Sequence, residues 1–276
     1  MTRLWVVFSV FLSGLMAGMP LAFAGDPNAK WPWRLQEPAS LIKERMVNFH
    51  DHILFWMIVG IVTFVFILLV YVMVKYSARN NPVPNKFSHN VPLEIVWTVI
   101  PVLILIVIAV PSFKLLYYMD KAPGKPEVTV KAIGHQWYWE YQYPDYGDFS
   151  FNANMIPDKE LKEGQPRLLA TDNHVVIPVN TNVQFLVSAA DVLHAFFIPA
   201  FGVNMLAIPG RTNEVWVNAT KEGVYYGQCN KICGINHAYM PIAIEVVSKE
   251  AFAAWVEEAK VKFADTTAAP RLLAAQ

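Results

Sequence analysis

The sequence predicts a two-helix membrane hairpin followed by an all-β domain, a Greek-key sandwich or barrel held outside the membrane. Three observations predict it. Residues 52–74 and 95–113 contain no Asp, Glu, Lys or Arg, and each is close to the roughly 20 helical residues that span a bilayer core. From about Pro126 the hydrophobic pattern changes to period two, with Val128, Val130 and Ala132 alternating with Glu127, Thr129 and Lys131. Charged residues are only 16% of the 276, against about 25% in ordinary soluble chains.

Residues 1–24 read as a signal peptide. Arg3 is followed by an apolar run to Leu21, and Ala22-Phe23-Ala24 is a small-x-small cleavage signal. The mature chain then begins at Gly25, and residues 25–51 form a short external segment. The hairpin covers 52–114, and Pro101 and Pro111 fall in its second helix, where membrane helices tolerate them. Its loop, 75–94, holds Lys75, Arg79 and Lys86 with no acid before Glu94, so it is expected in the cytoplasm. Both mature termini then lie on the external side.

The external domain is expected over 115–263. Short runs at 137–143, 175–179, 183–188, 195–198, 214–218, 224–227 and 242–247 follow the first strand, separated by turn formers such as Pro144-Asp145 and Pro209-Gly210. Seven or eight such strands indicate an antiparallel sandwich or barrel. A closing amphipathic helix is expected over 249–263, with Phe252, Trp255, Val256 and Ala259 on one face. Residues 264–276 read as a tail. Residues 115–276 carry 13 Lys/Arg against 17 Asp/Glu, and no basic cluster lies on an aromatic strand or helix. Nucleic-acid binding therefore finds no support.

The chemistry is concentrated at the end of the chain. Cys229-Asn-Lys-Ile-Cys233-Gly-Ile-Asn-His237-Ala-Tyr-Met240 holds the only two cysteines, together with an imidazole and a thioether. Soft sulfur and imidazole donors suit copper. His194, in the turn Asp191-Val192-Leu193-His194, is the natural second imidazole. A disulfide is the first competing reading, since exported proteins with paired cysteines usually form one. It gives no use to His237 and Met240. Structural zinc is the second, and a thioether is a poor zinc ligand. A c-type haem would need Cys-x-x-Cys-His. Two thiolates exceed what one blue-copper ion needs, and they can bridge two coppers, each capped by one imidazole.

Together with Gly134-His135-Gln136-Trp137-Tyr138-Trp139 and Pro209-Gly210-Arg211, these motifs resemble subunit II of the haem–copper cytochrome c oxidases, over about residues 40–262. The resemblance implies a cupredoxin-like domain with a binuclear CuA centre. Its ligands would be His194, Cys229, Cys233, His237, Met240 and the backbone carbonyl of Lys231. It also implies Trp137 as the point where electrons enter from cytochrome c, a role that strand alternation alone would not assign. Asp145, Asp148 and Asp191 would help dock that partner. Glu94 would lie near the mouth of a proton channel in subunit I, which carries the haems; subunit III is a further expected partner. The implied location is the bacterial inner membrane, with the copper domain on the periplasmic side and lipid around the hairpin. His50, His52, His89, His135 and His174 are read as surface or structural histidines.

Three positions depart from the family. Lys231 stands where the family has Glu, and Asn204-Met205-Leu206 stands where it has Lys-x-Asp. Those acids serve an interfacial Mg²⁺ or Mn²⁺ in the family. Their loss disfavours a hard divalent ion, and the Lys231 ammonium is expected to substitute for its charge. The alternative function is a membrane-anchored copper-delivery protein, for which a single anchor and an αβ pattern are expected instead.

Overall fold

The structure is a computed structural model that describes residues 35–83 and 86–264. The signal peptide read over 1–24, and residues 265–276 of the tail, lie outside the described residues.

Helix α1 (Leu41–Phe49) passes through a π-helical turn, His50–Leu54, into α2 (Phe55–Lys75). The second spanning helix is α3 (Val91–Asp120). The helical stretches Leu41–Lys75 and Val91–Asp120 are both long and apolar enough to cross a membrane. The sequence-derived spans lie inside them, and both helices extend beyond on the side of the β domain. That extension is where the hairpin is anchored. The Arg45 guanidinium lies 3.5 Å from the centre of the Tyr118 ring. That ring meets Trp216 edge-on at 5.2 Å, and the Trp216 indole N–H donates to the Tyr118 carbonyl at 3.2 Å. A cation over one face and an indole at the edge are favourable aromatic geometries.

The β domain has ten strands: β1 (Val128–His135), β2 (Tyr138–Tyr143), β3 (Phe149–Ala153), β4 (Val175–Pro178), β5 (Asn182–Ala189), β6 (His194–Ile198), β7 (Val203–Ala207), β8 (Asn213–Asn218), β9 (Gly223–Cys229) and β10 (Pro241–Val247). Helix α4 (Lys249–Lys262) closes the chain. The strands form two five-stranded sheets, ordered β3-β2-β1-β5-β8 and β4-β10-β9-β6-β7. Two pairs, β1 with β5 and β4 with β10, are parallel. The sandwich is therefore mixed rather than wholly antiparallel, because the chain crosses between sheets before each of these pairings. The two strands beyond the sequence reading, β3 and β7, both lie at sheet edges. β3 alternates strictly, with Phe149, Phe151 and Ala153 buried, whereas β7 buries only Val203 and Ala207 at its ends.

Val128, Val130 and Ala132 point inward as their alternation requires. The core between the sheets is aromatic. Phe196 sits within 6.4 Å, ring centre to ring centre, of Trp139, Tyr141 and Phe185. Tyr143 ties the layers together, donating its hydroxyl proton to the Val176 carbonyl at 2.9 Å and accepting from the Val176 amide at 3.1 Å. Filling this core fixes the ends of β6 and β9, and so the site.

Ser40 joins the first helix to the domain. Its hydroxyl is buried, accepts the Lys43 amide as the N-cap of α1 and donates to the Phe201 carbonyl at 2.7 Å. Ser40→Ala removes the cap and leaves a buried carbonyl unpaired. It is expected to cost about 1–2 kcal/mol, read as a lower thermal unfolding midpoint. An unchanged midpoint would contradict this anchoring.

Candidate metal centre

The site forms where β6 and β9 meet. In their antiparallel pairing Phe196 lies opposite Cys229, so His194, two residues earlier on β6, projects over the loop that follows β9. The Asn230 amide donates to the Ala195 carbonyl at 3.2 Å and holds that loop to β6.

His194 is fully buried. Its Nε2 lies 2.9 Å from Asp191 Oδ1, an oxygen that also accepts the Val192 amide at 2.6 Å. With Nε2–H given to the carboxylate, Nδ1 is left as the donor atom. It faces Cys229 Sγ at 3.9 Å. The ring fits because residue 134 is glycine: a Cβ there would stand 2.9 Å from His194 Cδ2. Trp139 packs across the ring at 6.1 Å.

The loop after β9 brings in the other donors. Gly234, at φ +124°, turns the chain in a conformation other residues rarely adopt. A short 3₁₀ turn, His237–Tyr239, then leads to Met240, whose carbonyl accepts the Cys229 amide at 3.2 Å. The two sulfurs come within 3.8 Å of each other as free thiols. Cys233 Sγ is 3.5 Å from His237 Nδ1 and 3.5 Å from Met240 Sδ. The Lys231 carbonyl oxygen lies 3.2 Å from Cys229 Sγ. Metal–sulfur bonds are about 2.3 Å long, so ions bonded to both sulfurs can bridge this span. One ligand atom each from His194, Cys229 and Cys233 falls within a 4.8 Å cluster.

The protons on this cluster are unequally held. Burial opposes ionisation of Cys229, but hydrogen bonds from His194 and from nearby backbone outweigh it and lower the thiol to about 6. Burial and the neighbouring Cys229 charge push Cys233 up to about 12. For His194, burial would lower the imidazole, yet its bonds to Cys229 and Asp191 raise it. At neutral pH the metal-free site is thus a thiolate next to a thiol, a soft and partly charged pocket.

All six sequence-derived ligand positions converge here, with Asp191 behind His194. Trp137 is also at the site, half-buried, in the Gln136-Trp137 turn between β1 and β2. It does not continue the inward alternation of Trp139 and Tyr141, because the turn breaks the strand. Its indole N–H donates to the Cys233 carbonyl at 3.3 Å. Asp145 and Asp148 are not brought to the site. They lie past the far end of β2, roughly 20 Å away at about 3.3 Å per strand residue, where Asp145 accepts the Thr129 amide at 2.6 Å. Glu94 is in the first turn of α3 and accepts the amide of its N-cap Asn90 at 3.2 Å, while Asn90 accepts from Leu93. That is a reciprocal helix cap. His135 pairs with Glu140 and His174 with Glu245, both in structural roles. Gly134 and Gln136 went unassigned by sequence reasoning. They stand in the Gly-His-Gln-Trp motif, but neither residue type announces a role near a metal.

The periplasmic-domain profile of cytochrome c oxidase subunit II matches residues 128–247, and the transmembrane-domain profile matches residues 28–115. The probable cytochrome c oxidase subunit 2 of Rickettsia bellii is 52% identical over 247 residues, covering 90% of this chain and 91% of that protein. The chain belongs to the cytochrome c oxidase subunit II family. The subunit 2 of Arabidopsis thaliana is 44% identical, covering 83% of this chain and 90% of its own length. Among solved structures, the periplasmic domain of subunit II from Bradyrhizobium japonicum is 54% identical, covers 51% of this chain and 99% of its own, and superposes with a TM-score of 0.48. Membership makes this chain a membrane-anchored subunit of a haem–copper oxidase, with the electron-input role of subunit II.

Metal uptake by the metal-free site competes with these protons. At pH 7 loading must displace the Cys233 proton. Below pH 6 Cys229 is protonated as well, so one more proton must leave and affinity falls more steeply as pH drops. Copper titrations of the metal-free complex between about pH 5 and pH 8 check this, and a pH-independent affinity would contradict it.

Proposed function

We propose that this subunit receives electrons from cytochrome c at Trp137, holds them at a binuclear copper centre and delivers them to a haem in subunit I. Oxygen reduction to water and proton translocation take place in the assembled complex. The observation that carries this reading is the donor set: two free thiols 3.8 Å apart, each with an imidazole nitrogen within 3.9 Å.

His194 Nδ1, Cys229 Sγ, Cys233 Sγ, His237 Nδ1, Met240 Sδ and the Lys231 carbonyl would hold the copper pair. Bound there, the copper pair would supply a one-electron store at soft sulfur donors. Asp191 keeps the His194 tautomer, and the buried sulfurs limit water at the donors. The Trp137 indole connects to the ligand residue Cys233 through its hydrogen bond to that carbonyl. Ile232 and Ile235, 83% and 88% exposed beside the ligands, give an apolar rim suited to a protein partner. Subunit III completes the expected assembly.

Cytochrome c docks at the Trp137 turn, with Asp191 as the acidic neighbour. Asp145 and Asp148 act as longer-range steering charges from the same domain. The copper domain and both mature termini lie on the periplasmic side, opposite the basic loop at Lys75, Arg79 and Lys86. At the cytoplasmic start of α3, Glu94 combines its capping role with proton delivery towards subunit I. The copper-delivery alternative finds less support, since two spanning helices and an all-β domain suit a resident subunit.

The purified complex is expected to contain two coppers in this subunit with a mixed-valence EPR signal. Absence of copper together with a Cys229–Cys233 crosslink by mass would sink the reading. Trp137→Phe should leave that signal intact and slow electron transfer from cytochrome c by about tenfold or more, a barrier change of about 1.4 kcal/mol. Unchanged transfer kinetics would remove Trp137 from the path. The residues do not fit an interfacial Mg²⁺ or Mn²⁺: Lys231 brings a positive charge and Leu206 no oxygen donor. Metal analysis is expected to find neither ion held stoichiometrically at this interface, and finding one would refute the Lys231 substitution.

A further inference from the structure

We infer that Gln136 is a positioning residue of the metal centre, tying its His194 half to its Cys233 half from the tip of the β1–β2 turn. The inference rests on the copper reading above.

The two halves have separate origins. His194 opens β6, and Cys233 sits in the loop after β9, both in one sheet. Gln136 belongs to the other sheet's hairpin and reaches over to both. Its backbone N–H donates to Asp191 Oδ2 at 2.6 Å, and the other oxygen of that carboxylate holds His194 Nε2 at 2.9 Å. Its side-chain Nε2 donates to the Cys233 carbonyl at 2.8 Å. One residue thus supplies a short hydrogen bond to each half.

The surrounding space is cleared for this approach. A Cβ on Gly234, the residue after Cys233, would stand 3.1 Å from Gln136 Nε2 and 3.0 Å from Trp137 Cζ2. Two residues before Gln136, Gly134 gives the same clearance to the His194 ring. Gln136 is itself exposed, so burial supplies no reason for its two short bonds.

The amide on the Cys233 carbonyl fixes the direction in which that residue presents its sulfur. The backbone bond to Asp191 fixes the plane of the His194 ring. Outer-shell partners of this kind commonly change metal affinity by about 10–100-fold when removed. The Trp137 indole shares the same acceptor, so a protein pressing on this turn acts on Cys233 as well.

The test uses the purified oxidase complex carrying Q136M or Q136E. Both side chains keep the length of Gln; Met has no donor, and an ionised Glu has none and adds negative charge. Wild-type complex is first checked for copper and its mixed-valence signal; their absence overturns the copper reading itself, independently of any variant. With copper present in the wild type, both variants are expected to retain it about tenfold less well against a competing chelator. Their EPR hyperfine pattern should also change, while the unfolding midpoint of the copper-free complex stays at the wild-type value. A mere charge effect would make Q136E hold copper more tightly than wild type. That result, or a Q136M that matches wild type in both retention and spectrum, overturns the inference.

Discussion

The register between β6 and β9 is the constraint on which the rest of the molecule depends. With Phe196 opposite Cys229, His194 overhangs the β9 loop and Cys229 turns its sulfur into the space between the sheets. Side chains on a strand alternate, so a slip of one residue in either strand would turn its donor outward. The register is held by what lies beneath it. Phe196 is packed among Trp139, Tyr141 and Phe185, and removing so large a buried ring costs about 3–5 kcal/mol in well-packed cores. The aromatic core and the metal centre are consecutive layers of one structure.

From that register the chemistry follows in steps. Burial alone would keep the thiols neutral, yet Cys229 is lowered because an imidazole and backbone groups point at it. Its charge in turn helps to raise Cys233. A site of this kind favours soft cations that can neutralise both sulfurs at once. The harder oxygen donors nearby are otherwise engaged: both oxygens of Asp191 are taken up by His194, Val192 and Gln136. Selectivity therefore comes from which polar groups are already satisfied as much as from which donors are present.

The membrane hairpin is joined to the domain by a few concentrated contacts. Tyr118 is held between Arg45 and Trp216, and Ser40 bonds both its own helix and Phe201. Gly202, at φ +71°, lets α1 lie close: a Cβ there would meet Met46 Sδ at 2.7 Å. These contacts connect the helical anchor with β8 at the edge of one sheet and with the turn before β7, the edge strand of the sheet that presents the ligands.

Much of this was legible in the chain. Uncharged apolar runs of sufficient length determine spanning helices whatever surrounds them, and period-two alternation determines half-buried strands. The Cys229–Met240 cluster declared its chemistry because sulfur and imidazole donors that close in sequence must also be close in space. The bounds of elements were less legible. Helices α1 and α3 extend past the apolar runs because the domain packs against them. What tertiary structure alone decided is which distant residues meet. It seated Trp137 in a turn rather than a strand and brought Gln136 and Gly134 to the ligands. It also separated Asp145 and Asp148 from the site, and set Glu94 to capping its own helix. Such outcomes depend on long-range register and on backbone hydrogen bonds, which local residue patterns do not encode.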